Sequence, residues 1–166
     1  QGSLHTASGD FSLDGKFDRF DQAQFMRVAA GQLNGDFKAA GQLGKTPKAV
    51  FSFALRDSRL AGAPAGGHGQ FDLDWPHVRK ADLALDLGPN RARLAGAFGR
   101  LGEKLRLDIE APALAPYGID GDLQAHLEAG GRLDALQLNG RVRSASLRLP
   151  GQGRVKDLRL DSDIGA

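Results

Sequence analysis

Apolar and polar residues alternate through almost the whole chain, and a period of two marks a β-strand with one dry face. Phe51, Phe53 and Leu55 alternate with Ser52, Ala54 and Arg56, and Phe71, Leu73 and Trp75 with Asp72 and Asp74. Leu83, Leu85 and Leu87 enclose Ala84 and Asp86, ahead of the turn residues Gly88-Pro89-Asn90. Leu105, Leu107 and Ile109 alternate with Arg106, Asp108 and Glu110, and Pro112 stops the run. Leu123, Ala125 and Leu127 lead to Gly130-Gly131, and Leu147, Leu149, Leu158 and Leu160 repeat the pattern near the end. Connections are short and leave no room for crossover helices, so the expectation is an all-β chain of antiparallel strands.

Some segments depart from the alternation. Asp21 caps an expected short helix through Ala30, with Phe25, Val28 and Ala29 on one face and Gly31 as its stop. The stretch Gly62–Gly69, rich in Gly, Ala and Pro, reads as a loop. Parity slips between Ala135 and Leu136, and again between Val142 and Leu147; each slip predicts a bulge or bend that re-aims the strand.

Five times the chain writes apolar–x–Gly–x–apolar, centred on Gly15, Gly35, Gly96, Gly121 and Gly140. Asn-Gly and Asp-Gly are strong hairpin turns. A two-residue turn at Asn34-Gly35, however, would set Leu33 opposite Asp36 and Gln32 opposite Phe37, mixing apolar with polar on each face. Read as continuous strand, the two apolar residues and the glycine share the dry side, and the glycine leaves a gap that permits a bend or close approach. The in-strand reading is favoured. The spacing also hints at a degenerate strand–turn–strand repeat.

Composition narrows the class. Hydrophobic residues make up 41% and charged residues 25% of 166, too apolar for a disordered chain and enough for one domain. With 22 basic and 20 acidic residues the net charge is +2, which gives no nucleic-acid footprint. No cysteine is present, so thiol chemistry and disulfides are excluded. No apolar run approaches the roughly 18 residues that span a bilayer. The chain reads as a single module, residues 1–166, belonging to a longer protein.

An apolar sheet face has to be covered. Two sheets can close on each other as a sandwich. Alternatively, one curved sheet leaves an open U-shaped groove for an apolar ligand. The candidate lining runs along Phe11, Leu13 and Phe17, then Phe51, Phe53 and Leu55, then Phe71, Leu73, Leu83 and Leu85. It continues through Leu94, Phe98, Leu105, Leu107 and Ile109 to Leu123, Leu127, Leu138 and Leu158. Leucine predominates and aromatics are few, a smooth wall suited to acyl chains rather than sugars. About a dozen strands stacked at ~4.8 Å would give a path on the order of 55 Å.

The run from Leu87 onward quotes a longer pattern: Gly88-x-Asn90, Leu94-x-Gly96-x-x-Gly99, Leu105-x-Leu107-x-Ile109-x-Ala111-Pro112, Ile119-x-Gly121-x-Leu123, Leu136-x-Leu138-x-Gly140 and Val155-x-x-Leu158-x-Leu160. This is similar to the TamB family of AsmA-like proteins, inner-membrane subunits of the translocation and assembly module of Gram-negative bacteria. Leu33-x-Gly35, Phe51, Phe53 and Asp57 through Gly62 are similar in style, so the resemblance covers most of the chain. It implies a β-taco groove that conducts phospholipid between the membranes and supports outer-membrane and autotransporter assembly. It implies a periplasmic setting, anchorage of the full-length protein in the inner membrane, and the outer-membrane barrel TamA as partner. A second role is a scaffold that receives nascent outer-membrane β-segments by strand addition, without conducting lipid.

Catalytic signatures are missing. His5, His68, His77 and His126 have no ligand spacing and read as surface or loop imidazoles. Gly44-Lys45-Thr46 resembles the end of a phosphate loop, but Ala39 stands where its first glycine belongs. No Gly-x-Ser-x-Gly elbow occurs. The expectation is a non-enzyme with no cofactor and no metal. Arg141, Arg143, Arg148, Arg154, Lys156 and Arg159 read as the wet face of strands, offset by Asp157, Asp161 and Asp163, with anionic headgroups as the alternative partner.

Overall fold

The computed structural model describes residues 2–5, 9–20, 31–148 and 154–164, with backbone alone for 2–5, 154–155 and 162–164. The expected helix at 21–30 lies outside them. The strands are β1 (Gly2–His5), β2 (Asp10–Phe20), β3 (Gly31–Gln42), β4 (Lys48–Leu60), β5 (Ala63–Asp74), β6 (His77–Leu87), β7 (Asn90–Phe98), β8 (Lys104–Ala111), β9 (Asp120–Gly121), β10 (Leu123–Arg132), β11 (Ala135–Arg148) and β12 (Arg154–Ile164). They form one antiparallel sheet in chain order from β1 to β12, with the two-residue β9 paired to the far end of β11. Each strand turns back beside its predecessor, as short connections dictate.

The sheet is curved and not closed. In a flat sheet, strands two apart lie about 9.6 Å from each other; β7 and β10, on either side of β8, hold Cα atoms within 8 Å. No large side chain among the described residues is fully buried, and the buried apolar residues are all alanines: Ala65, Ala81, Ala84, Ala111 and Ala125. A compact monomer of 17.6 kDa would expose about 7,900 Å², whereas this chain exposes 10975 Å². That excess is the signature of a single layer rather than a sandwich.

Four of the five recurring glycines lie inside strands, Gly15 in β2, Gly35 in β3, Gly96 in β7 and Gly140 in β11, whereas Gly121 ends the two-residue β9, with Ile119 and Asp122 outside any strand. The dry face nevertheless has no gap above most of them. The Phe37 ring lies where a Cβ on Gly15 would be, at 2.7 Å from Cε1, and the Phe17 ring at 2.8 Å does the same to Gly35. Across the pair β10–β11, Leu127 Cδ2 stands 2.6 Å from a Cβ on Gly140. Neighbouring side chains fold flat over the glycines and fill the space that the sequence leaves open.

The same packing overturns the loop expected over Gly62–Gly69. Only Ala61 and Gly62 turn, and residues 63–69 are the first half of β5. Their small side chains belong under larger neighbours: Gly69 opposes Phe53 and Leu83, and Gly67 opposes Leu55 and Leu85. A composition that looks like loop is here the space for other residues' side chains.

The two parity slips differ in kind. The first is a hairpin, Leu133-Asp134, between the paired residues Arg132 and Ala135. The second is irregular pairing: two residues lie between Gly121 and Gln124 while three lie between Arg143 and Leu147. Asp122 faces the extra residue and its carboxylate accepts hydrogen bonds from the amides of Ala145 (3.1 Å) and Ser146 (3.2 Å). At the other end of the sheet, register shifts in β2 and β4 flank Asn34 of β3. Asn34 Oδ1 accepts from the Arg19 amide (2.6 Å), its Nδ2 donates to the Asp57 carbonyl (2.8 Å), and its amide donates to Ser58 Oγ (2.8 Å). Bulges leave backbone groups unpaired, and side chains satisfy them here.

Candidate functional site: the uncovered face of the sheet

Directly opposed residues in an antiparallel sheet share a face, so the register decides which side chains meet. One row crosses from Gly15 through Phe37, Phe53 and Gly69 to Leu83. It continues through Leu94, Leu107 and Leu127 to Gly140. A second, parallel row holds Leu13, Phe51 and Phe71, then Leu105 and Leu138. A third holds Phe17, Leu55, Leu85 and Ile109. Phe11, Leu73 and Phe98 lie in a row toward one rim. Leu123, opposed to Ala111, and Leu158, opposed to Ser144, lie toward the other.

All nineteen residues expected to line a groove therefore stand on one face of one sheet. The rows also recruit residues that the expected lining omits. Phe37 stands in the first row between Gly15 and Phe53, and Val142 and Leu160 extend the third. The signal was present for Phe37, which shares parity with Gly35 and Ala39. Ala39, Ala81, Ala92, Ala125 and Ala129 complete the rows. Short side chains carry too little hydrophobicity to be singled out from sequence, yet Ala81 and Ala125 are the most deeply buried apolar residues among those described.

Within the face, Phe51 contacts Phe53 and Phe71 with ring centroids 5.8 and 6.5 Å apart, tilted arrangements that suit the ring quadrupoles. Phe51, at 36% exposure, and Leu13, at 47%, remain open to solvent on the same side. Hydrophobic side chains are thus gathered without being covered by any described residue.

The opposite face is charged and self-neutralising. Arg106 and Lys104 both reach Glu128, at 2.9 and 2.6 Å, and their hydrogen bonds hold its carboxyl below the usual glutamate range. Arg79 is held above its ordinary value by its hydrogen bond to Asp72 at 2.7 Å. His126 pairs with Asp108 at 2.6 Å directly across the strands, and Arg56 pairs with Asp36 at 2.9 Å. Arg141 pairs with Asp161 at 3.3 Å, which places this part of the basic tail on the wet face. Exposed pairs of this kind contribute little stability each, but they keep the outer side hydrated.

One histidine differs from expectation. His77 is neither open nor unpaired: its side chain is 12% exposed and its Nε2 meets Glu103 Oε1 at 2.8 Å. Among the described residues no group of His, Cys, Asp or Glu could hold a metal ion, and no helix is long and apolar enough to cross a membrane. Comparison with known proteins returns no family model, no curated protein and no solved structure that matches this chain.

Proposed function

We propose that the uncovered face is a conduit for phospholipid acyl chains, in a protein similar to the TamB family that moves lipid between the inner and outer membranes. The observation that carries this reading is the run Leu83–Leu94–Leu107–Leu127, opposed in register across four successive strands with nothing described above it. An acyl chain of about 16 carbons in water costs roughly 12 kcal/mol in exposed CH₂ groups. A continuous aliphatic wall offsets most of that without covalent chemistry. Eleven strands in line give a path of about 48 Å. An open apolar surface of this extent exceeds what monomers ordinarily leave bare, which supports a ligand. The periplasmic setting, the inner-membrane anchor of the full-length protein and the partner TamA belong to the same reading.

Photoreactive residues at Phe53, Leu85 and Leu107 test it. Adducts to phospholipid at these positions, and none at Asp108 on the other face, are the expected result. Leu107→Arg would put a charge in the central row and lower binding of a fluorescent phospholipid about tenfold, with the strand's outer face intact. Absence of lipid adducts at all three positions would refute the conduit. Adducts to unfolded outer-membrane protein alone would favour the scaffold that receives β-segments by strand addition.

A further inference from the structure

The two rims of the sheet are unlike each other. On one, the tips joining β3–β4, β5–β6, β7–β8 and β10–β11 each present a large apolar side chain to solvent: Leu43 (59% exposed), Trp75 (47%), Leu101 (94%) and Leu133 (57%). On the other, the described tips are Ala61-Gly62, between β4 and β5, Gly88-Pro89, between β6 and β7, and the longer connection 112–122 between β8 and β10, whose Leu114, Tyr117 and Ile119 are half-buried rather than presented to solvent. The register keeps the first rim level, since Gln42, Lys48, Asp74 and His77 are opposed in turn. Successive tips on that rim are about 10 Å apart, two strand spacings. Lys45 and Arg100 stand among them with no acidic partner described for either side chain, and an open cleft of about 870 Å³ separates the Leu101 tip from the Leu133 tip, with Arg100 and Arg132 on its walls.

We infer that this rim docks on the surface of an anionic phospholipid bilayer, with Trp75, Leu101 and Leu133 entering the interface and Lys45 and Arg100 meeting headgroup phosphates. The prongs are isolated and separated by polar backbone, so they offer no contiguous apolar core for a protein partner. A fluid bilayer closes around each prong individually, and Trp and Leu next to basic residues are the composition of interfacial anchors. The inference does not depend on the conduit: it concerns the rim, not the apolar face.

Trp75 is the only tryptophan in the chain and reports its own environment. The 166-residue chain is titrated with vesicles of phosphatidylcholine and phosphatidylglycerol at a 3:1 ratio, following tryptophan emission and flotation. A blue shift with co-flotation is expected, reduced at least tenfold in apparent affinity in the double variant Leu101→Ser/Leu133→Ser and weakened by Arg100→Glu. Pro89→Glu on the opposite rim should leave binding unchanged. These exposed turn positions make no buried contact, and an unchanged thermal transition verifies folding. No blue shift and no flotation, or binding indifferent to the rim variants, overturns the inference. Self-association that Leu101→Ser/Leu133→Ser abolishes, without vesicle binding, also overturns it and assigns the rim to a contact between copies. Phospholipid adducts at Phe53, Leu85 and Leu107 read the conduit separately, so either result can fail alone.

Discussion

The two ends of the sheet solve one packing problem with different residues. From β2 to β5 the large residues of the apolar face are mostly phenylalanines and the small ones mostly glycines: Phe37 over Gly15, Phe17 over Gly35, Phe53 over Gly69. From β6 to β11 the large ones are mostly Leu, and the small ones are chiefly Ala81, Ala92, Ala125 and Ala129. A ring lying flat across the neighbouring strand needs the Cβ beneath it removed, whereas a branched aliphatic side chain can pack beside a methyl group. Without a second layer, a sheet reduces exposure by folding its side chains onto its own backbone. The aromatic end relies on this most heavily, and the aliphatic end keeps the smoother wall.

The sharpest probe puts a branched side chain under each end. A Cβ on Gly35 would collide with the Ala54 carbonyl oxygen, and one on Gly140 with that of His126. Because backbone cannot swing aside, Gly35→Val and Gly140→Val should each destabilise by about 3 kcal/mol in urea unfolding. A cost confined to one of them would show that the two ends do not share this packing.

Exchanging the two small residues gives a smaller and more diagnostic effect. Gly69→Ala displaces the Phe53 ring, 3.0 Å from a Cβ there at Cδ1 and Cζ, and should cost about 1 kcal/mol. Ala125→Gly, in the aliphatic end, loses a buried methyl and adds backbone entropy, also about 1 kcal/mol. Strand propensity alone says the opposite for the first, since alanine is ordinarily better than glycine in a strand. A stabilising Gly69→Ala would therefore remove the flat-ring account of the aromatic end.

The smallest effect belongs to the outer face. Glu128 titrates below the usual glutamate range because Lys104 and Arg106 bond its carboxylate. A depressed folded-state value means the pair's contribution is present above the ordinary glutamate range and fades as pH falls through the lowered value. Thermal melts of the wild type and Glu128→Gln should converge on acidification below that range and differ slightly at neutral pH; a difference that grows with acid would reverse the assignment.

Much of this was legible in advance, for reasons specific residues make plain. Phe51, Phe53 and Leu55 declare their face because period two leaves no other, and Leu33-Asn34-Gly35 declares itself in-strand because a turn there would scramble both faces. The β5 segment from Ala63 to Gly69 was illegible, because its composition answers to Phe53 and Leu85 on other strands rather than to its own backbone. The asymmetry of the rims was equally hidden. Leu43, Trp75, Leu101 and Leu133 are scattered over ninety positions, and only antiparallel order brings them to one side.

By itself, then, the amino-acid sequence determined that the chain is β throughout its described length, and which side of each strand is dry, since both follow from local alternation. Whether the dry sides meet one another or stay open is a nonlocal matter. Strand order and register settled it, by placing every apolar run beside its neighbour in a single layer with no described residue over it. The physical reason is that alternation encodes orientation relative to the strand, whereas burial depends on what the rest of the chain brings to that side.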